Sequence, residues 1–136
     1  KEQRYLDAAI LTADHFIEQC KKTNYLAVAD FFAPEEPLYY DSTAGVCAAS
    51  GIIEIAKCLS GERSEYYMGE AIKILKATDA HFCNYSDDED ALVLMGSNRY
   101  PREERFLEGV HTPIIYGDFF FVEAMSKLKG SDFLIW

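Results

Sequence analysis

Apolar positions recur with helical spacing in four stretches of the chain, and two of these stretches are amphipathic. The first runs from about Glu2 to Cys20 and the second from about Ser64 to Cys83. In each, one stripe is apolar and the opposite side is polar, which is typical of a helix on the outside of a folded domain. The stripe of the first stretch consists of Leu6, Ala9, Ile10, Ala13, Phe16, Ile17 and Cys20.

The other two stretches are apolar or small on nearly every side. One runs from about Ser42 to Ser60, with Asp41 or Ser42 as its N-cap, and the other lies within Val110–Leu128 after Pro113. A helix that is apolar all round must be buried, and the last stretch is too short and too interrupted by acidic residues to span a membrane. The order along the chain is therefore outer, inner, outer, inner.

A sequence repeat supports this order. "YLDAAI" at Tyr5–Ile10 resembles "YMGEAI" at Tyr67–Ile72, at an offset of 62 residues between positions 5 and 67. A repeat of this length that holds one helix pair indicates a stacked or toroidal array of helical hairpins. No run alternates long enough to form a sheet, although "ALVLMGS" at residues 91–97 could form a short strand, so we predict an all-α fold.

The second hairpin contains an insertion. Asp41 and Asp118 stand where the two inner helices begin, and their offset of 77 residues exceeds the repeat by 15. The insertion lies within "SNRYPREERFLEGVHT" at residues 97–112, and insertions of this kind collect as loops on one face, often the binding face. For both aspartates we expect N-capping rather than catalysis.

Two hairpins leave the inner helices with too few neighbours. Because Lys1 leads at once into a helical pattern without a preceding Met, we expect the chain to be cut from something longer. Residues 1–136 are predicted to be a single segment of two to three outer/inner helix pairs. The uncovered surface would then be covered by the remainder of a barrel or by self-association.

The inner helices resemble a known family. "YYDSTAGVCAASGIIEIAK" followed by "TPIIYGDFFFVEAM", with "ADFFAPEEP" before them, is similar to the unsaturated glucuronyl hydrolases of glycoside hydrolase family 88. The resemblance implies a barrel of six helical hairpins, and six repeats of ~62 residues would make a chain of roughly 370. The 136 residues would then be its C-terminal third.

The resemblance also implies an activity. The family hydrolyses lyase-generated oligosaccharides that carry a 4,5-unsaturated uronic acid: a carboxylic acid protonates the double bond, water adds, and the resulting hemiketal opens. No position here matches the family's two functional aspartates, so no catalytic residue is predicted in this chain. The chain departs from the family at Met95 and His111, which lie in or near the segment that corresponds to the loop that closes over sugar in the family. The alternative is a non-catalytic helical-repeat interaction module.

The insertion holds the candidate substrate-binding residues. Arg99, Arg102 and Arg105 are spaced by three, and arginine binds carboxylate or sulfate through its planar fork. Tyr100 and Phe106 are the candidates for stacking on sugar. The alternative, a solvated loop in which Glu103 and Glu104 neutralise the arginines, is equally compatible with the sequence.

The net charge limits the classes of partner that the chain can bind, and the cysteine content indicates its cellular compartment. The net charge is -10, from 23 acidic and 13 basic residues, which argues against nucleic acid or an anionic membrane as a partner. We expect the four cysteines to be reduced and buried, which fits a cytoplasmic protein. No metal site and no cofactor are expected, because "SDDEDA" lacks the glycine and distal glutamate of a calcium loop and the helical histidines lack ligand spacing.

Overall fold

Four α-helices make up the fold in the computed structural model, which describes residues 2–101, 103 and 107–131. We number them α1 to α4 in chain order: Gln3–Lys22, Ser42–Cys58, Gly61–Phe82 and Ile115–Leu128. The all-α fold and the four predicted helices are confirmed. The described residues show no strand, and "ALVLMGS" forms only isolated bridges, from Val93 to Cys83 and from Gly96 to Thr112.

Helix α2 is the centre of the molecule. It packs extensively on both α3 and α4 but makes few contacts with α1. Its Val46 and Ile53 are fully buried, and they share one hydrophobic cluster with Ile17 of α1, Ile74 of α3 and Phe121 of α4. Because α2 occupies the space between α3 and α4, the chain has the layered arrangement of inner and outer helices that its hydrophobic pattern predicts.

The described residues cover helix α4 on one side only. Gly117, Phe121 and Ala124 are buried against the rest of the chain. The opposite apolar stripe remains open to solvent, and its exposed members are Ile115, Val122, Met125 and Leu128. The other three helices therefore leave part of the α4 surface uncovered, as the sequence predicts.

A polar network fastens α4 to α2 within this apolar setting. Lys127 is 7% exposed, and its ammonium donates to the Ser50 hydroxyl at 2.9 Å and to Glu123 Oε2 at 3.0 Å. Ser50 also donates to Glu123. Burial raises the pKa of Glu123, but the Ser50 and Lys127 hydrogen bonds outweigh it and hold this pKa below its usual value.

The two outer helices carry the sequence repeat in different surroundings. Tyr67 on α3 is buried, and its hydroxyl donates to Asp14 Oδ1 on α1 at 2.7 Å. Tyr5, its counterpart on α1, is 66% exposed, with the Arg4 guanidinium over its ring. The tyrosine at this repeat position is thus buried on α3, where the two hairpins meet, and exposed on α1.

Two expectations about the helices are wrong in detail. Helix α3 begins at Gly61 rather than near Ser64, because its polar first turn carries no apolar signal. Cys20 is buried as expected, but Cys83 is only half-buried, and Cys47 and Cys58 are exposed. No helix in the described part of the chain is long and apolar enough to cross a membrane.

Candidate functional site

Both long connections of the chain meet at one end of the helices. Residues 23–41 lead into α2 and residues 83–114 lead into α4, whereas α2 and α3 are joined at the opposite end by residues 59–60 alone. Hydrogen bonds tie the two connections together around the first turn of α2. This long-connection end is the candidate site, because binding residues concentrate in loops that a rigid scaffold positions.

The first turn of α2 holds the second connection in place. Asp41 caps the helix by accepting from the Thr43 amide at 3.1 Å, and the same oxygen accepts from the Ser97 amide at 3.1 Å. The Ser42 hydroxyl donates to the Leu94 carbonyl at 2.6 Å. Burial raises the pKa of Asp41, while its amide hydrogen bonds act in the opposite direction. The predicted capping role of Asp41 is confirmed.

Asp118 has a different role from the predicted one. Helix α4 begins three residues earlier, with Ile114 at the N-cap position and no side-chain cap. Asp118 lies in the first turn and accepts from the backbone amides of Val93 at 2.7 Å and Leu92 at 3.2 Å. It therefore positions the segment after α3, as Asp41 positions Ser97, and it does not cap its own helix.

An aromatic cluster forms where the two connections touch. The Tyr39 ring meets the Tyr100 ring edge-on at a centroid distance of 5.4 Å and lies 6.0 Å from the His111 ring. Tyr40 packs against Phe82 at 5.3 Å on the other side of this group. Tyr100 is half-buried here, so the structure combines one predicted sugar-binding residue with Tyr39 and His111.

His111 is held in its neutral form. The Tyr40 backbone amide donates to His111 Nε2 at 2.8 Å, so this nitrogen must be unprotonated. Desolvation lowers the pKa of His111, in agreement with this geometry. The His111 backbone amide in turn donates to the Ser97 hydroxyl at 3.2 Å, and the residue adopts a positive φ of 54°.

Arg99 stands at the solvent side of the cluster. Its Nε donates to the Glu108 carbonyl at 3.0 Å, and its guanidinium lies 3.8 Å from the Glu108 carboxylate. The Arg99 side chain is 53% exposed and that of Glu108 is 96% exposed. An ion pair this exposed contributes little, so a bound anion could take the place of Glu108.

The remaining predicted binding residues, Arg102, Arg105 and Phe106, lie outside the described residues. Tyr39 and Ser97 were missed in the sequence because each acts through a partner far along the chain: Ser97 donates to the Tyr40 carbonyl. The one available signal was the aromatic pair before Asp41, which also lies within the segment that resembles the family. Among the described residues, no group of three or more His, Cys, Asp or Glu could hold a metal ion.

Solved structures show the same arrangement of helices. An unsaturated glucuronyl hydrolase from Bacillus sp. GL1, responsible for the degradation of glycosaminoglycan, matches with a TM-score of 0.81 and 25% identity over 95% of this chain and 34% of its own. A UGL variant with dGlcA-Glc-Rha-Glc matches with the same TM-score of 0.81. The resemblance to unsaturated glucuronyl hydrolases is confirmed. A mutant of this enzyme from Streptococcus agalactiae, at 23% identity, has the same fold with a TM-score of 0.68 over 83% of this chain and 32% of its own.

The chain thus spans about a third of the length of the enzymes it matches. Its four helices form a sector of a helical toroid of the (α/α)-barrel type. No protein-family model matches the sequence, and no curated protein matches it significantly. The likeness therefore rests on the structural match and on the inner-helix segments that resemble the family.

Proposed function

We propose that this chain is part of a glycoside hydrolase that removes 4,5-unsaturated uronic acid from lyase-generated oligosaccharides, such as glycosaminoglycan fragments, by hydration of the double bond. The observation that carries the proposal is the match over 95% of the chain to an unsaturated glucuronyl hydrolase at 25% identity. The substrate class is that of the family, and the chemistry is general acid–base catalysis by a carboxylic acid.

Within this reaction we assign the chain a binding role. The two aspartates at the long-connection end, Asp41 and Asp118, each accept two backbone amides. A carboxylate in this arrangement orders the backbone and has little capacity left to deliver a proton to substrate. The acid that protonates the double bond is therefore proposed to lie outside these residues.

We propose that the sugar binds against the aromatic cluster. Tyr39, Tyr100 and His111 form an apolar wall with polar edges, which suits the mixed surface of a sugar ring. Arg99 extends from the same loop and is the proposed ligand of the substrate's carboxylate or sulfate, together with Arg102 and Arg105, and Phe106 would add a second stacking surface. The segment as a whole is proposed to contribute two outer/inner helix pairs to the barrel.

Hydrolysis assays test the proposal. The full translated product of the gene should consume an unsaturated chondroitin disaccharide, which is followed by the loss of the absorbance of its double bond. Residues 1–136 alone should show no turnover above buffer. A full product that binds other proteins but leaves the disaccharide intact would favour a non-catalytic helical-repeat interaction module instead.

The role of Arg99 has its own test in the active full product. Arg99→Ala removes a charge-assisted hydrogen bond worth roughly 1.5–3 kcal/mol, so kcat/KM should fall by about tenfold or more. The loss should appear mainly in KM, because the interaction is made equally in the ground and transition states. A sulfated substrate should be affected more strongly than an unsulfated one if sulfate is the ligand.

The matched control is Arg63→Ala, which removes an exposed arginine from the start of α3 at the opposite end of the helices. This variant should keep the kinetic constants of the wild type. Unchanged kcat/KM for Arg99→Ala on both substrates would show that the loop is a solvated connection.

A further inference from the structure

One ring nitrogen of His111 is bound by the protein, and the other carries a donor that the protein does not use. Nε2 accepts from the Tyr40 amide at 2.8 Å, so in the neutral imidazole the proton lies on Nδ1. No group among the residues that the structure describes accepts a hydrogen bond from this Nδ1. The ring is half-buried, and Nδ1 is not among the enclosed side-chain atoms without a partner, which in the described residues are Thr43 Oγ1 and Glu54 Oε1. His111 thus presents an accessible donor at the long-connection end.

Backbone groups from both connections hold this donor in place. The Asp41 amide donates to the Ala27 carbonyl at 2.9 Å, and this bond fixes the backbone beside Tyr40. On the other side, the His111 amide donates to the Ser97 hydroxyl at 3.2 Å. His111 also adopts a positive φ of 54°, a conformation that costs energy for a residue with a side chain and that clusters at ligand-binding sites. The direction of the Nδ1–H is therefore set before any ligand binds.

The donor belongs to the aromatic cluster that is proposed to bind the sugar. The Tyr39 ring lies 6.0 Å from the His111 ring and 5.4 Å from the Tyr100 ring. A sugar has apolar C–H faces and a rim of hydroxyl groups, so aromatic rings suit its face and a fixed N–H suits its rim. Binding sites for small molecules combine an apolar lining with a few placed polar groups in this way.

We propose, on the basis of the proposed function, that the Nδ1–H of His111 donates to a hydroxyl oxygen of the bound sugar and that His111 thereby selects substrates with this hydroxyl. A neutral acceptor suits this donor because the Asp41 carboxylate is close by: it accepts from the amide of Ser97, whose hydroxyl accepts from His111. Negative charge on the ligand is repelled there and is assigned to Arg99 at the solvent side of the cluster. A substrate without the hydroxyl leaves the Nδ1–H unpaired, which weakens binding.

Two substitutions in the active full product separate the two ring nitrogens. In His111→Gln, the side-chain carbonyl can replace Nε2 as the acceptor for the Tyr40 amide, but no donor remains at the position of Nδ1. His111→Asn instead offers an amide N–H near the position of Nδ1, and Asn tolerates a positive φ. We expect His111→Gln to raise KM by about two- to tenfold, the range for a neutral hydrogen bond, with kcat unchanged. His111→Asn should raise KM less.

Monodeoxy analogues of the unsaturated chondroitin disaccharide identify the hydroxyl. One analogue should have a raised KM with the wild type, and His111→Gln should weaken its binding no further, because the same hydrogen bond is already missing. The other analogues should show the full effect of His111→Gln, and sulfated and unsulfated disaccharides should be affected equally. His15→Gln is the matched control: His15 is an exposed histidine on α1, and the variant should keep the wild-type KM.

The outcomes separate the role of His111 from the proposed function. A full product that does not turn over the disaccharide contradicts both together. An active product in which His111→Gln keeps the wild-type KM, or in which His111→Gln and His111→Asn are equally damaging, overturns the role of His111 alone. The same conclusion follows if all analogues respond equally to His111→Gln, since the substitution would then act by displacing the loop.

Discussion

At the residue scale, the long-connection end depends on a few glycines at which an added side chain would clash with its neighbours. Gly96 is one of them: a Cβ there would lie 2.8 Å from the Thr43 hydroxyl and 2.9 Å from the Thr112 carbonyl. The Thr112 amide donates to the Gly96 carbonyl at 2.8 Å, and this bond joins the two ends of the inserted loop. A side chain at Gly96 would therefore separate the loop from the first turn of α2.

We predict that Gly96→Ala lowers the free energy of unfolding by about 1–3 kcal/mol, the usual cost of overpacking a closed site. Gly69→Ala is the control, because no atom lies within 4 Å of its Cβ position in the middle of α3. That change should raise stability by about 0.5–1 kcal/mol through helix propensity. Urea denaturation measures both, and equal effects would contradict the assigned contact.

His111 makes the same region sensitive to pH. Its folded-state pKa is lowered by desolvation, and its Nε2 accepts a hydrogen bond from the Tyr40 amide that protonation would break. The unfolded chain therefore takes up the proton first, near the ordinary pKa of about 6.5. The contribution of His111 to stability is fully present above this pH and is lost as the pH falls through the folded-state pKa.

Comparison of the wild type with His111→Gln isolates this contribution. The difference in unfolding free energy between the two proteins should shrink as the pH is lowered from about 7 to about 5. Chemical denaturation at a series of pH values provides the measurement. A difference that stays constant over this range would show that His111 does not titrate between the two states.

Asp41 and Asp118 show how far the role of a residue at this end could be predicted from the sequence. Asp41 was predicted correctly because a polar cap directly before a run of small helical residues is a strong local signal. Asp118 was not, because its role depends on where α4 begins: with Ile114 as the N-cap, its side chain reaches the amides of Leu92 and Val93 instead. That contact joins residues distant in sequence, which a local pattern does not report.

At the element scale, helix positions follow from hydrophobic periodicity, whereas helix-to-helix attachments do not. The buried residues of α1, Ala13, Ile17 and Cys20, all lie on its predicted stripe, since apolar burial dominates where a helix lies against a core. Ala9, at the other end of this stripe, is exposed. Nothing local indicates that Lys127 would be buried between α2 and α4, because its partners Ser50 and Glu123 meet it only after the helices pack.

We predict that Lys127→Met destabilises the chain by about 3 kcal/mol, because it leaves Glu123 buried without its cation. The double variant Lys127→Met/Glu123→Gln should recover a large part of this loss, since residue 123 then carries no charge. Thermal denaturation of the two single variants and the double variant forms the cycle. Additive losses would show that the two side chains do not interact energetically.

At the scale of the whole molecule, the chain is a sector of a helical toroid, and its proposed binding site lies at the long-connection end. The hydrophobic pattern, the repeat and the inner-helix segments predicted a sector of this kind, and the match to the glucuronyl hydrolases confirms it. The candidate site could be predicted only as far as the inserted loop, because its companion, Tyr39, is brought there by packing of the first connection. The central claim is that sugar binds at this end and nowhere else on the chain.

Chemical-shift mapping on isotope-labelled residues 1–136 tests this claim most directly, with an unsaturated chondroitin disaccharide as the ligand and maltose as the control. We predict that amide shifts will be confined to residues 23–41, 92–101 and 107–114, with Arg99 and Tyr100 among the most affected, and that maltose will cause none. Shifts centred on residues 59–60 at the opposite end or on the groove between α1 and α2, which Leu6, Phe16 and Ile52 line, would contradict the account, as would equal shifts with both sugars.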